Sequence, residues 1–346
     1  MVENNVVMID GQEVELTEEM FELDHIDSLE KEAISRPSRT FWQDAMSRLF
    51  DNKGSVVGLV ILAILILLTI FAPIFSSIPY DKQNLMHAKV PPKFPVISSL
   101  GIMDGTSPVD GSKVYEVKHI TQNYLFGTDA LGRDIWTRVW SGARVSMFIA
   151  IIAALLDLVI GVTYGGVSAY YGGKVDLIMQ RIIEVITGIP SLVILTLLIM
   201  VLQPGIFTIA LAMSISNWTG MARVVRSQVL KLKEQEFVLA SRTLGSSDAR
   251  LILKHLIPNI VGQIVVMIMF TLPSAIFYEA FLSFIGLGLQ PPHASLGILI
   301  NDGFKTFQTH PYMMILPSIV ICLLIFSLNL LANGLRDAVD PKMRNN

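Results

Sequence analysis

Cysteine occurs once in the 346 residues, at Cys322, which excludes a disulfide framework and a cysteine-based metal cluster. Charge is scarce as well. Asp, Glu, Lys and Arg make up 16% of the chain, whereas soluble domains carry roughly a quarter. The net charge of -3 points neither to a nucleic-acid partner nor to a basic surface anchor. Lys and Arg are missing altogether from the first thirty residues, which hold ten acids. That is the reverse of a signal-peptide n-region, so the first span is expected to be a permanent anchor. The acidic leader itself reads as a poorly ordered or partly helical segment. Catalytic signatures are lacking too: H-E-x-x-H, G-x-S-x-G and Cys/His clusters with metal spacing do not occur. Gly172-Gly173-Lys174 looks like the end of a phosphate loop, but Ser168 stands where the first glycine should be and Val175 where a Ser/Thr should be. If ATP drives this protein, another chain hydrolyses it.

Apolar sequence is what the chain has in quantity. Hydrophobic residues make up 52% and the mean hydropathy is +0.57, values of a bilayer protein. A span needs about 20 apolar residues to cross about 30 Å of hydrocarbon. Six stretches are read as spans: Val56–Phe75, Val145–Tyr164, Ile182–Leu202, Gly205–Met221, Ile260–Phe284 and Met313–Leu331. The third contains Pro190, and Ser214, Ser216 and Asn217 dilute the fourth. Connections 165–181 and 222–259 and the tail after 332 carry twelve Lys/Arg, against Lys305 alone in 203–204 and 285–312. The excess of basic residues predicts that both termini and the 222–259 connection are cytoplasmic.

The outside connection 76–144 is too long for a turn. Its PPKFP (91–95) reads as extended polyproline-like chain. Asp104-Gly105 and Asp110-Gly111 flank Val114-Tyr115-Glu116-Val117, which suggests a small β element. A structured cap and a docking surface for an external partner both fit this composition. The region ends in FGTDALGRDIWTRVWSGARVS (126–146), where Thr128 or Asp129 could cap a helix and Asp129–Arg133 is an i, i+4 pair. Trp136 and Trp140 suit a short interfacial helix. Gly161, Gly165 and Ala169, four apart, predict a close helix–helix contact without naming the partner helix.

Three acids fall in or beside spans. Glu184 can pair with Arg181. Asp157 and Glu279 lie in apolar runs, where charge usually faces a bundle interior or a polar path. They are candidates for the translocation path, although three isolated acids make a poor proton relay.

The 222–259 connection is the most informative segment. In EFVLASRTLGSSDARLILKHLIPN (236–259), Phe237, Ala240 and Leu244 fall near one helical face. Gly245 is placed as a left-handed stop. Ser246 or Ser247 could cap a second helix with Leu251, Ile252 and Leu256 as its apolar stripe, and Pro258 should end it. A helical hairpin packed only on its own bundle and a lever projecting into a soluble partner are both compatible with this pattern.

Ala240-Ser241 followed by Gly245 and then His255-Leu256-Ile257-Pro258-Asn259 resembles the "EAA" cytoplasmic loop of ABC importer permeases. FGTDALGRD (126–134), EAFLSFIGLGLQPP (279–292) and GLRDAVDP (334–341) narrow the resemblance to the peptide/nickel branch, over about residues 126–341. The extra first span and long outside region look most like the C-type subunit of an oligopeptide importer. Leu239 stands where the family's motif glutamate would be, and Ser241 replaces the second alanine, so no role attaches to a glutamate there.

The resemblance implies an all-α polytopic membrane protein, with an extra N-terminal span (54–76) added to a type I ABC importer core (142–333). Residues 1–53 and 334–346 would be cytoplasmic and 77–141 extracytoplasmic. It implies half of a translocation pathway for oligopeptides across the bacterial cytoplasmic membrane. The implied partners are a second homologous permease in a heterodimer, two ATPase subunits that bind the ATP and Mg²⁺, and an extracytoplasmic peptide-binding protein. The coupling-loop residues carried over are Glu236, Phe237, Ala240, Ser241, Gly245, Asp248, His255 and Pro258. This chain would hold no cofactor or metal and catalyse nothing. The alternatives are a dipeptide or nickel permease of the same family, or an ion-coupled secondary transporter. The last should show repeated, interrupted helices and coupling-ion ligands, which the sequence does not display.

Overall fold

The computed structural model describes residues 6–9, 12–15, 40–76, 78–96, 98–290 and 292–340. They divide into two units, Met1–Asp44 and Ala45–Asn346. In the first, β1 (Val6–Ile9) and β2 (Gln12–Glu15) pair antiparallel, with Val6 opposite Glu15 and Ile9 opposite Gln12. The intervening residues are Asp10-Gly11, a dipeptide that favours two-residue hairpin turns. For these positions the hairpin replaces the expected disordered or helical leader. The rest of the leader lies outside the described residues, as does the tail beyond 340.

The second unit is helical. α1 (Phe41–Asp51), which starts four residues before the boundary at Ala45, precedes α2 (Lys53–Phe75), which Asn52 caps by accepting from the N–H groups of Gly54 (2.9 Å) and Ser55 (3.3 Å). α3 (Ile135–Tyr171) runs unbroken for 37 residues, about 55 Å at 1.5 Å per residue. The expected separate interfacial helix is therefore the first part of α3. Its cap is Asp134, whose Oδ2 accepts from Thr137 N–H at 3.1 Å. Neither Thr128 nor Asp129 fills that position, because Asp129 is engaged in the turn before it. Asp129 does pair with Arg133, at 2.6 Å.

The expected 165–181 connection shrinks to a turn at Gly172-Gly173, since α4 (Gly173–Gly188) starts there. Both glycines have positive φ, 62° and 52°, which lets the chain reverse without a Cβ clash. α4 and α5 (Ser191–Leu202) meet at an 81° bend. The third span is thus broken where Pro190 removes a donor and ends the helical ladder. α6 (Ile206–Leu232) follows. Among the described residues, α2, α3, α9 (Val261–Phe284) and α11 (Tyr312–Val339) are each long and apolar enough to cross a membrane, and the bent α4–α5 pair brings the number to five. α6 is long enough to be the sixth, but Ser214, Ser216 and Asn217 lower its apolarity, so the count of six is approximate. The 285–312 connection, read from sequence only as a link between spans, contains a helix, α10 (Leu296–Phe304). Both ends of the 142–333 core fall inside helices, α3 and α11.

The small-residue stripe finds its partner within the chain. A Cβ on Gly161 would lie 2.6 Å from the Met221 Cβ, and one on Gly165 would overlap the Ala222 carbonyl. α3 and α6 therefore pack backbone to backbone, as small residues at this spacing permit. Gly58 does the same for α2 on α11, where a Cβ would sit 2.7 Å from the Leu330 Cβ. One apolar cluster joins α2, α3, α5, α6, α9, α10 and α11 around residues such as Ile135, Ile149, Ile209, Ile276 and Leu324.

The described residues of 76–134 fold into a cap around Val90, Tyr115, Ile120 and Tyr124. The expected β element reduces to isolated bridges, Lys93 with Asp104 and Thr106 with Lys113. Val114–Val117 forms a single helical turn instead, because Tyr115 must turn inward so that its hydroxyl reaches the Pro91 carbonyl at 3.0 Å. Burial raises the pKa of that hydroxyl. Tyr312 of α11 ties the cap to the bundle by donating to the Thr128 carbonyl at 3.3 Å.

Candidate functional site

The 222–259 connection starts inside α6, which holds the chain helical through Leu232. Arg226 on α6 grips Asp176 of α4 with two hydrogen bonds, and Ser168 of α3 donates to the same carboxylate at 2.5 Å. After α6, Lys233 Nζ reaches the Ala169 carbonyl at 2.8 Å, satisfying an acceptor in the last turn of α3.

A short helix, α7 (Glu236–Thr243), then folds back. Its inward anchor is Val238, 2% exposed, which packs with Leu251, Leu256, Val225 and Val229. The stripe read from the sequence faces the other way: Phe237 is 44% exposed and Leu244 87%. That is a correction, because i, i+3, i+7 spacing marks a face without saying which side of it is covered.

α7 ends in a Schellman motif. Gly245 N–H donates to Arg242 O at 3.0 Å and Ser246 N–H to Ser241 O at 3.2 Å. Gly245 has φ +82°, the left-handed conformation this motif requires. The second helical run, α8 (248–259), begins after Ser247, whose hydroxyl makes no capping bond. Its middle, Leu251–Leu256, is π-helical, with Ile257 N–H bonded to Ile252 O. Pro258 accounts for this: it cannot donate to the carbonyl four residues back, and its ring crowds that carbonyl, so the ladder widens just before it. Pro258 therefore distorts the run without ending it. The break comes at Ile260, before α9.

Side chains lock the hairpin. Ser241 Oγ lies 3.0 Å from Ser246 Oγ and 3.4 Å from His255 Nε2. Tyr170 of α3 donates to Asp248 Oδ1 at 2.6 Å. Ser241, Ser246 and His255 are thus linked within the hairpin and Asp248 is linked to α3, while Glu236, Phe237, Ala240, Gly245 and Asp248 are all exposed. Sequence reading missed Val238, Lys233, Tyr170 and the Asp176–Arg226 pair. Only Val238 had a local signal, as the apolar residue opposite the exposed stripe.

The buried acids are elsewhere. Glu279 is 0% exposed and accepts from the hydroxyls of Ser146 (2.6 Å) and Ser283 (2.7 Å). Within this chain it is enclosed between α9 and α3. Asp157 is 2% exposed, with Oδ1 unpartnered. Glu184 pairs with Arg181 at 2.6 Å. No group of three or more metal-ligating side chains occurs among the described residues.

A bundle of apolar helices, a bent span and a helix–glycine–helix between spans define a multi-pass helical membrane protein. The family model for "Binding-protein-dependent transport system inner membrane component" matches residues 157–345, and that for the "N-terminal TM domain of oligopeptide transport permease C" matches residues 40–92. The oligopeptide transport system permease protein OppC of Bacillus subtilis is 44% identical over 94% of this chain and 97% of its own. The dipeptide permease protein DppC of the same organism is 41% identical over 96% of each chain. The inward-facing MetNI methionine ABC transporter aligns with 57% of this chain and 94% of its own, at 16% identity and a TM-score of 0.47. This chain belongs to the family of binding-protein-dependent transport system inner membrane components, the permeases of ABC importers. It is a multi-pass membrane subunit of a transporter.

Proposed function

We propose that this chain is half of the translocation pathway of an ATP-driven oligopeptide importer in the bacterial cytoplasmic membrane, with both termini cytoplasmic. It pairs with a second homologous permease, works with two ATPase subunits that bind and hydrolyse ATP with Mg²⁺, and receives peptide from an extracytoplasmic binding protein. The chain itself holds no cofactor and catalyses nothing. The 76–134 cap faces the binding protein, and α7 is the element that enters the ATPase.

The observation that carries this reading is the split face of α7. Val238 alone anchors it, while Phe237, Leu239 and Leu244 are 44%, 47% and 87% exposed. Exposed apolar residues on a hairpin held stiff by a Schellman turn offer a protein partner something to bury. Asp157 and Glu279 enter this reading as enclosed acids that brace the bundle.

Leu244→Glu tests it. The side chain already projects outward, so expression and membrane insertion should match wild type. Co-purification of the ATPase subunits and substrate-stimulated hydrolysis should fall. Wild-type association and hydrolysis in this variant would remove α7 from the coupling role. Mass spectrometry of ligands captured by the binding protein separates oligopeptides from dipeptides and nickel.

A further inference from the structure

The first turn of α3 buries a cation that has two guanidinium nitrogens without a hydrogen-bond partner. Arg138 is 1% exposed, and neither Nε nor Nη1 has a partner. The acid facing it is Asp129, but Nε to Oδ2 is 3.6 Å, beyond hydrogen-bond reach. Asp129 is already engaged by the N–H groups of Leu131 (2.9 Å) and Arg133 (3.0 Å) and by Arg133 Nε (2.6 Å). Arg133 has a second acid, Asp302, at 3.7 Å, and Asp302 has Lys305 at 3.6 Å. Arg133 therefore has a hydrogen-bonded acid and a second acid at ion-pair distance, whereas Arg138 shares Asp129 at 3.6 Å with no hydrogen bond from Nε or Nη1. A buried guanidinium left with unsatisfied donors is costly, and an acceptor entering from outside would relieve that cost.

There is room for one. Arg138 lines a cavity of about 320 Å³ together with Arg133, Gln290, His293, Asn301 and Asp302. Leu289 and Ile298 supply apolar wall. Asn301 Nδ2 is bonded to the Phe284 carbonyl at 2.6 Å, which leaves its Oδ1 to accept from a ligand N–H. The volume lies at the low end of ligand pockets, about 300–1,000 Å³, and fits a terminal residue or two of a peptide rather than a long segment. Nearby Asp129 and Asp302 oppose a divalent anion, so a singly charged group suits the site better than phosphate. The planar guanidinium matches a carboxylate in two-point geometry.

We propose that this cavity is a carboxylate-binding site that receives the C-terminal residue of a short peptide, with Arg138 as the charged donor. The inference rests on the reading of the chain as a peptide permease. Arg138 takes the carboxylate, Asn301 the adjacent N–H, and Leu289 and Ile298 contact the side chain. A site of this size reads the end of a peptide whatever its length.

The test uses the assembled complex of both permeases and the ATPases in nanodiscs, without the binding protein, and radiolabelled trialanine with a free or an amidated C-terminus. The free acid should bind about tenfold or more tighter than the amide, as one charge-assisted pair implies. Arg138→Gln should bring the acid to the level of the amide, with Arg138→Lys in between because it keeps charge and loses the fork. Arg138 is buried and its variants could fail to assemble, so Gln290→Trp, from an exposed position at the cavity wall, blocks the site independently and should also abolish the difference. Equal binding of acid and amide by wild type overturns the inference, as does an undiminished preference in Gln290→Trp. ATP-driven uptake by the complete importer separates the two levels. If wild type imports neither peptide, the peptide-permease reading fails. If it imports peptides but its complex does not discriminate between the two ends, only this site fails.

Discussion

Arg226 holds Asp176 through two hydrogen bonds, Nε to Oδ1 at 2.6 Å and Nη2 to Oδ2 at 2.5 Å, and so locks α6 to the first turn of α4. The residues are fifty positions apart. Their side chains are 30% and 15% exposed, enclosed enough for the pair to matter.

A double-mutant cycle measures that lock. Arg226→Gln and Asp176→Asn should each lower the melting temperature of the purified complex. Their coupling energy should be about 1.5–3 kcal/mol, as for hydrogen bonds to charged groups. Arg226→Lys should not restore the loss, because an ammonium cannot form the fork. Additive single effects would show that the pair is incidental.

The α3–α6 contact gives a steric prediction. Gly165→Val should prevent accumulation of folded protein, because even a Cβ at 165 overlaps the Ala222 carbonyl. Gly220 on α6 is the control, since a Cβ there would meet nothing within 4 Å. Gly220→Ala should be tolerated, with a helix-propensity gain of up to about 1 kcal/mol. Protease resistance of the membrane-inserted chain reports both outcomes.

Gly245 tests backbone conformation in isolation. A Cβ there would meet no atom within 4 Å, so the only penalty is φ +82°. Gly245→Asn should therefore keep most transport, Gly245→Ala should lose about 1–2 kcal/mol of local stability, and Gly245→Val should be worst. A volume-ranked order, with Asn as damaging as Val, would indicate an unrecognised steric neighbour. Uptake and crosslinking between a cysteine at 240 and the ATPase give the ranking.

Glu279 is predicted to act through packing. Glu279→Gln keeps the volume but presents an NH₂ to hydroxyls that now donate, so one serine must turn. Uptake of peptides with free and with blocked amino termini should then change by the same factor. A selective loss for free-amine peptides would return Glu279 to the translocation path.

How much of this was legible in the sequence follows from the range of each interaction. Apolar runs named the spans, since about 20 apolar residues cross the bilayer wherever they fall in a fold. Gly245 was readable because left-handed backbone is a local demand that glycine meets. The family motifs located the 222–259 hairpin for the same reason: they lie contiguously in the chain. Local signals also misled where tertiary contacts decide. Asp129 looked like a helix cap until Arg133 engaged it, and Val114–Val117 looked like strand until burial of Tyr115 closed a helical turn. The direction of α7 was not settled by the local pattern, because the choice between Val238 and Phe237 as the buried side depends on α6 and α8. Glu279 and Arg138 are the clearest contrast. As letters in the chain both are charges in apolar surroundings, yet the fold brings two serine hydroxyls to the first and leaves Nε and Nη1 of the second without an acceptor. Sequence determines which groups must be satisfied, and tertiary structure decides whether they are, because the partners come from helices far apart in the chain.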